Sequence, residues 1–207
     1  MTSALRFRII TLQVVLVAVL AFAAGFMFWG SIYIHSTIHD QLVAQQISFP
    51  ATGDPGITPA ALTPKGGTHS QGVYNSQQMN LYAGQQLATG DQAKVWSDSF
   101  IAVHLSEMGM TYSQASAVAM SHPNNTADAG LVATIFKGTT LRGMLLNSYG
   151  WWTLGNYVNF AAILSTLGAL VVFGTLVFES LLAWREKTAA ALTRVSSPAP
   201  RTVGSPA

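Results

Sequence analysis

The sequence predicts an all-α membrane protein in which two transmembrane helices flank a small helical extracytoplasmic domain. Half of the 207 residues are hydrophobic and only 9% are charged, against about a quarter in an average soluble domain. Two long runs lack charged side chains, and the stretch between them carries apolar residues at helical spacing. Because so little charge cannot cover an ordinary globular surface, a simple cytosolic enzyme is disfavoured.

The first predicted transmembrane helix covers 9–34, a run without Asp, Glu, Lys, Arg or His. About 20 apolar residues in a helix cross the hydrocarbon core, and the segment must be helical because lipid offers the backbone no hydrogen-bond partner. A cleaved secretory signal is the alternative, since Ala-Phe-Ala at 21–23 resembles a cleavage site. Apolar residues continue through 26–34, which favours the uncleaved helix, while removal of 1–23 stays open.

The second predicted transmembrane helix covers 151–183, including its aromatic flanks. Most of it lies in the uncharged run between Arg142 and Glu179, whose most apolar part is about 157–178. Tryptophan and tyrosine are enriched where helices cross the membrane interface. Trp29 and Tyr33 close the first run, and further aromatic residues open the second.

The distribution of charge predicts the orientation. The stretch 35–150 carries four basic and six acidic residues, whereas the rest of the chain carries six basic and two acidic residues. Basic residues beside transmembrane helices stay in the cytoplasm. We therefore expect a multi-pass plasma-membrane protein with cytoplasmic termini, 1–8 and 184–207, and an extracytoplasmic central loop. The Ser/Pro/Ala-rich tail is expected to be largely disordered.

The central loop divides by composition. The stretch 35–78 is predicted to be an extracytoplasmic stalk, continuing the first helix, followed at 51–78 by a flexible linker rich in Gly, Pro, Ser and Thr. The stretch 79–150 is predicted to form four short helices. Asp91 is the expected N-cap of the first, and a capping box at Thr111 begins the second. The third ends at Gly138, and the fourth leads into the second transmembrane helix.

Three residues of the outer helices are candidates for contacting a ligand or a partner. Trp96 and Phe100 share one helix face and could line a pocket for an apolar ligand, although this spacing is more typical of a hydrophobic core. Arg142, just outside the second transmembrane helix, could contact a lipid phosphate or an acidic partner, or simply extend to the interface. Lys94 and Asp98 are spaced for an ion pair.

The histidines raise the question of a metal site. His35 and His39 are one helical turn apart, a spacing that metal ligands use, and His104 could complete a set. Paired histidines just outside a membrane are more often interfacial polar residues. The chain has no cysteine and no HExxH motif, so no cofactor is predicted. The sequence shows no recognisable catalytic motif and no basic stripe for nucleic acid.

Small residues in the predicted transmembrane helices suggest a helix-packing surface, because they let backbones approach closely in lipid. Each predicted helix has one such set. The first has Ala18, Ala21 and Gly25 on one face, and the second has Ala161, Ser165 and Ala169 on one face with Gly168 beside them. The alternative is that alanine is simply abundant in this chain. Neither helix has a charge at its centre, which disfavours a self-sufficient pump or carrier.

Four stretches, at 46–50, 82–86, 92–105 and 140–147, resemble a group of uncharacterised two-pass membrane proteins from high-GC Gram-positive bacteria. The resemblance covers both predicted transmembrane helices and most of the central loop. It implies a membrane architecture and no known activity, cofactor or catalytic residue.

The sequence therefore favours a non-catalytic accessory or assembly component, in contact with membrane lipid, that binds another membrane or cell-envelope protein or itself. An extracytoplasmic ligand-binding module for a lipid, an apolar small molecule or a metal is the alternative. A third possibility is an envelope enzyme whose catalytic groups are not recognisable from the sequence.

Overall fold

The computed structural model describes residues 3–196, with side chains for residues 5–189. Within that range the regular structure is helical, which confirms the predicted all-α class. The elements are α1 (Ser3–Val43), a 3₁₀ turn (Pro55–Ile57), α2 (His69–Leu81), α3 (Gly90–Val95), a π-helical segment (Trp96–Ile101), α4 (Ala102–Glu107), α5 (Tyr112–Ser121) and α6 (Thr126–Ser196).

Two of these helices are long and apolar enough to cross a membrane. They correspond to Leu5–Val43 in α1 and Thr126–Ala189 in α6. Only 6% and 11% of their most apolar stretches are buried within the protein. A core helix of a soluble protein would be mostly buried, so the apolar surface of these two helices faces outward.

The helix α6 is longer than the sequence predicts. It is one helix of 71 residues, without the predicted break at Gly138. A Cβ at that glycine would lie 2.8 Å from Leu105 Cδ2, so Gly138 permits a close approach and does not end the helix. Residues 184–196 of the predicted disordered tail are also helical, in keeping with their alanine-rich sequence. The rest of that tail, 197–207, lies outside the described residues.

The chain forms two compact units. One comprises the described parts of Met1–Met27 and Phe160–Ala207, and the other comprises Phe28–Asn159. The second unit, here called the loop unit, is larger than the helical domain predicted at 79–150. The stalk, the linker and the adjoining parts of α1 and α6 all belong to it.

In the first unit, α1 and α6 pack as an antiparallel pair. The Ser165 hydroxyl donates a 3.0 Å hydrogen bond to the Leu20 carbonyl. Towards the chain ends, Arg6 donates to the Glu186 carboxylate at 2.8 Å. Small buried residues lie on both helices of the pair, namely Ala24, Ala162 and Ala169. Close packing of small residues is how helices associate in lipid, where no hydrophobic force holds them together.

The packed face of α1 differs from the predicted one. Ala18, Ala21 and Gly25 are exposed. The residues turned inward recur at alternating steps of four and three, the heptad spacing of a left-handed helix pair. They are Gln13, Val17, Leu20, Ala24 and Met27. Small size and a shared helix face predict that set, but neither determines the register of a helix pair.

The small residues predicted in the second transmembrane helix lie on or beside the contact. Ser165 bonds to α1, and a Cβ at Gly168 would lie 3.7 Å from Leu20 Cδ1. Ala161 is half-buried and Ala169 is buried. This half of the predicted packing surface therefore faces α1 of the same chain.

The loop unit has one hydrophobic core, to which the long helices contribute. Its buried members are Ile38, Leu42, Phe49, Ile57, Leu62, Met79, Leu87, Ala93, Ile101 and Leu145. Two of them come from α1 and one from α6. A second direct link between these helices is the 3.0 Å hydrogen bond from the Ser31 hydroxyl to the Gly155 carbonyl.

The predicted flexible linker at 51–78 is wrong in large part. Ile57 and Leu62 are almost completely buried in the core. From His69 the chain forms α2, which is preceded by a capping box between Thr68 and Gln71. Isolated apolar residues among Gly and Pro show no periodicity in the sequence, although tertiary contacts bury them.

Three of the short helices, α2, α3 and α5, begin at capping boxes. The box predicted at Thr111, with Gln114, is present. The N-cap of α3 is Thr89, whose hydroxyl accepts from the Gln92 amide. The predicted N-cap, Asp91, lies in the first turn instead, where its negative charge favours the helix N-terminus.

Replacing Gly72 tests whether the linker packs on α2. A Cβ at Gly72 would overlap the Pro59 carbonyl oxygen and the Thr63 hydroxyl. Gly72→Ala should therefore lower the free energy of unfolding by about 1–3 kcal/mol, the usual cost of overpacking. Thermal unfolding of the protein in lipid nanodiscs, followed by tryptophan fluorescence, measures the change.

The matched control is Gly130→Ala, because that helical glycine has open space where the Cβ would lie. Alanine should be neutral or stabilising there. A Gly72→Ala variant as stable as Gly130→Ala would contradict the packing of the linker.

Candidate functional site

A cluster of charged side chains lies on the surface of the loop unit. Lys94 donates to Asp98 Oδ2 at 2.6 Å, and Arg142 donates to Asp98 Oδ1 at 3.1 Å. The Lys94 ammonium also lies 5.3 Å from the centre of the Tyr149 ring, within the range of a cation–π contact. The predicted Lys94–Asp98 pair is confirmed, and Arg142 joins it from α6.

These contacts determine how Asp98 ionises. Partial burial by itself raises the pKa of Asp98, but hydrogen bonds and charge from Lys94 and Arg142 outweigh it, so that pKa lies below its ordinary value. The pKa of Lys94 is raised, chiefly by the hydrogen bond to Asp98 and against a desolvation effect. Asp98 is therefore an ionised anchor for two cations and not a proton donor at neutral pH.

Asp98 lies in the π-helical segment Trp96–Ile101. In this segment the Ala102 amide bonds to the Ser97 carbonyl, five residues back. Such segments are rare and occur frequently at functional sites. The sequence signal was the polar run Ser97-Asp98-Ser99 within an otherwise apolar stretch, which periodicity alone does not identify as a site.

A pocket of about 360 Å³ opens beside the charged cluster. It is bordered by α2, α3, the π-helical segment and α6, and is called here the tyrosine pocket. Its lining is mostly polar and consists of Tyr74, Asn75, Gln78, Tyr82, Asp91, Lys94, Val95, Asp98, Ser99 and Tyr149. Sequence reasoning missed this pocket because its residues come from separate helices.

Trp96 and Phe100, the predicted ligand-contacting residues, do not line the tyrosine pocket. They belong to an aromatic row in which Trp96 packs edge-on against Phe49 at 5.1 Å between ring centres. Phe100 lies 4.8 Å from Trp96 and 4.3 Å from the His104 ring. Both side chains pack against the hydrophobic core. Their helical spacing is more typical of such a core position than of a ligand pocket.

The structure does not bring His35, His39 and His104 together as metal ligands. His35 Nε2 lies 3.1 Å from Asn156 Oδ1, and His39 Nδ1 lies 3.2 Å from the Ala88 carbonyl oxygen. The His104 ring bonds to a carbonyl one turn back at 2.8 Å. Within the described residues, no group of three or more His, Asp or Glu side chains is arranged to hold a metal ion.

A second feature of the loop unit is a groove between α1 and α6, called here the α1–α6 groove. Its larger part has a volume of about 720 Å³, and a smaller part shares three of the lining residues, Gln41, Asn147 and Ser148. No Asp, Glu, Lys, Arg or His lines either part. Met144, which is 62% exposed, is its most prominent apolar side chain.

The serine that lines the tyrosine pocket is not paired with a base among the described residues. Ser99 has no hydrogen bond to a histidine or carboxylate among the residues that the structure describes, and such a bond is what activates a serine as a nucleophile. Asp98 is held by two cations. The pocket instead presents hydrogen-bonding groups and aromatic rings to whatever enters it.

The charge state of Asp98 gives a pH-dependent prediction. A carboxyl whose pKa is lowered by folding stabilises the protein above its unfolded-state pKa of about 3.9, and this contribution is lost as the pH falls through the folded-state value. Asp98→Asn should therefore lower the melting temperature at pH 7, and the difference from the unmodified protein should shrink in acid. Melting temperatures between pH 7 and 2.5 measure it.

The matched control is Glu107→Gln, since Glu107 is exposed and has no ion pair among the described residues. A difference for Asp98→Asn that stays constant with pH would show that the ionised carboxylate is not what stabilises the fold.

No protein-family model, curated protein or solved structure matches the chain.

Proposed function

We propose that this is a two-pass plasma-membrane protein with cytoplasmic termini and an extracytoplasmic loop unit. Its proposed role is that of a non-catalytic accessory or assembly component that binds another membrane or cell-envelope protein. The observation that carries the proposal is the outward-facing apolar surface of α1 and α6, whose most apolar stretches are almost unburied.

Lipid is the environment that this surface suits. Large apolar side chains are exposed around the first unit, including Phe22 at 77%, Phe26 at 62% and Phe178 at 63%. Soluble proteins rarely expose contiguous apolar surface of this kind, whereas transmembrane helices do so throughout their length. The exposed phenylalanines therefore support insertion of both helices.

The packing of the first unit supports retention of the N-terminal segment. The Leu20 carbonyl accepts from Ser165, and Arg6 pairs with Glu186. Removal of residues 1–23 would delete both partners on α1. A hairpin that uses this segment in its packing favours an uncleaved helix over a signal peptide.

The α1–α6 groove supports the proposed binding to another membrane protein. Two adjacent helices present a groove into which the side-chain ridge of a third helix can pack. Met and aromatic residues are enriched at protein interfaces and charged residues are depleted from their centres. With exposed Met144 and an uncharged lining, the groove suits an uncharged helix face of a partner.

Cysteine labelling tests the topology, because the chain contains no cysteine of its own. Gln77→Cys places a thiol at an exposed position of α2, and Lys187→Cys places one at an exposed position near the end of the described side chains. A membrane-impermeant maleimide should label Gln77→Cys in intact cells, and Lys187→Cys only after permeabilisation. Labelling of Lys187→Cys in intact cells would refute the proposed topology.

A charge in the groove tests partner binding. Met144→Glu should reduce recovery of any stoichiometric companion on purification from native membranes by about tenfold, because a carboxylate would be desolvated at the contact. Quantitative mass spectrometry of the purified assembly measures the loss.

Met120→Glu is the matched control, since Met120 is 78% exposed on α5, away from the groove. Equal recovery of the companion with both variants would exclude the groove as its binding surface. A companion that proves to be a second copy of this chain would replace the proposed partner with a homo-oligomer.

A further inference from the structure

We propose that the tyrosine pocket binds an uncharged carbohydrate. The inference rests on the lining of the pocket and not on the topology or the partner proposed above. Four features of the pocket carry it: an unpartnered hydroxyl on its wall, a balance of charge, a free aromatic face and a suitable size.

The unpartnered hydroxyl belongs to Ser99. The residue as a whole is only 3% exposed, lines the pocket, and its side chain has no hydrogen-bond partner among the described residues. Its hydroxyl is not among the buried atoms that lack a partner, so a molecule in the pocket can reach it and form a hydrogen bond with it. Gln78, another lining residue, likewise leaves its amide unpaired within the described range. These groups are positioned to bond to a polar ligand.

The charges around the pocket cancel. Asp91 and Asp98 contribute two negative charges, and Lys94 and Arg142 contribute two positive charges. Asp98 is already occupied by both cations. Neither a strongly anionic nor a strongly cationic ligand would therefore be attracted by a net charge. An uncharged ligand with many hydroxyl groups does not need such a charge, because it binds through hydrogen bonds.

The free aromatic face belongs to Tyr74. Its side chain is 60% exposed, and it lines the pocket from α2. Among the described residues it has no ring contact, whereas Tyr82 packs on Phe49 and the Tyr149 ring is covered by Lys94. An apolar ring face next to hydrogen-bonding groups matches a sugar ring, which has C–H bonds on its faces and hydroxyls at its edge.

The size of the pocket fits a short glycan. Its volume of about 360 Å³ lies at the small end of ligand pockets, which span about 300–1,000 Å³. A sugar unit, or the end of a longer chain that extends into solvent, is the expected occupant. A quaternary ammonium ligand is disfavoured because Lys94 already occupies the face of Tyr149.

Binding is best measured on the full chain in lipid nanodiscs, because maltoside and glucoside detergents carry the proposed ligand chemistry. The probes are maltotriose, cellotriose and N,N′,N″-triacetylchitotriose, with phosphocholine as the charged comparison. Saturation-transfer NMR detects binding, and titration calorimetry gives the Kd. We expect at least one trisaccharide to bind and phosphocholine not to bind.

Variants of the pocket then assign the site. Tyr74→Ala should raise the Kd by about tenfold through loss of the stacking surface. Ser99→Ala, a small change that leaves the core intact, should raise it by about threefold to tenfold through loss of a hydrogen bond. Tyr112→Ala is the matched control, since Tyr112 is exposed outside the tyrosine pocket.

Thermal unfolding of each variant shows that the fold is retained. Absence of binding by all three trisaccharides would overturn the proposal, as would binding that neither Tyr74→Ala nor Ser99→Ala weakens. Binding of phosphocholine without any sugar would overturn the proposal in favour of a charged ligand. None of these outcomes bears on cysteine labelling or on recovery of a companion, so the proposed function is judged separately.

Discussion

The short helices of the loop unit depend on a core that the two long helices help to build. Ile38 and Leu42 of α1 and Leu145 of α6 are buried together with residues of the intervening segments. Helices of six to thirteen residues, such as α3 and α2, are marginal in water by themselves. They persist here because tertiary packing stabilises them. The arrangement of the loop segments, and of the pocket they border, therefore depends on α1 and α6.

The same two helices carry surfaces of opposite character. In the first unit their exposed side chains are large and apolar, which suits lipid. In the loop unit both helices border the groove, which has amide, hydroxyl and apolar groups, and α6 also borders the tyrosine pocket, which has charged groups. A hydrophobic protein with 9% charged residues thus places these polar groups beside largely apolar helices. The arrangement is compatible with the membrane-anchored binding protein proposed above.

Composition and local patterns predicted the two long helices, the capping box at Thr111 and the Lys94–Asp98 pair, because each depends on residues close in sequence. What depends on distant contacts was missed. Arg142 bonds to Asp98, which lies 44 positions earlier in the chain. No local periodicity in the sequence indicates this contact. Ile57 and Leu62 look like linker residues but are buried by packing. The packed face of α1 depends on the register between two helices, which the size of its residues does not specify.

The double pairing of Asp98 makes the order of sequence changes matter. Loss of Arg142 leaves Asp98 still paired with Lys94, so such a change costs the fold little stability. Loss of Asp98 first leaves two cations without the anion that separates them, and like charges repel. Changes at these three positions are therefore not additive. During neutral evolution, substitution of either cation of this cluster is therefore tolerated more easily than substitution of its carboxylate.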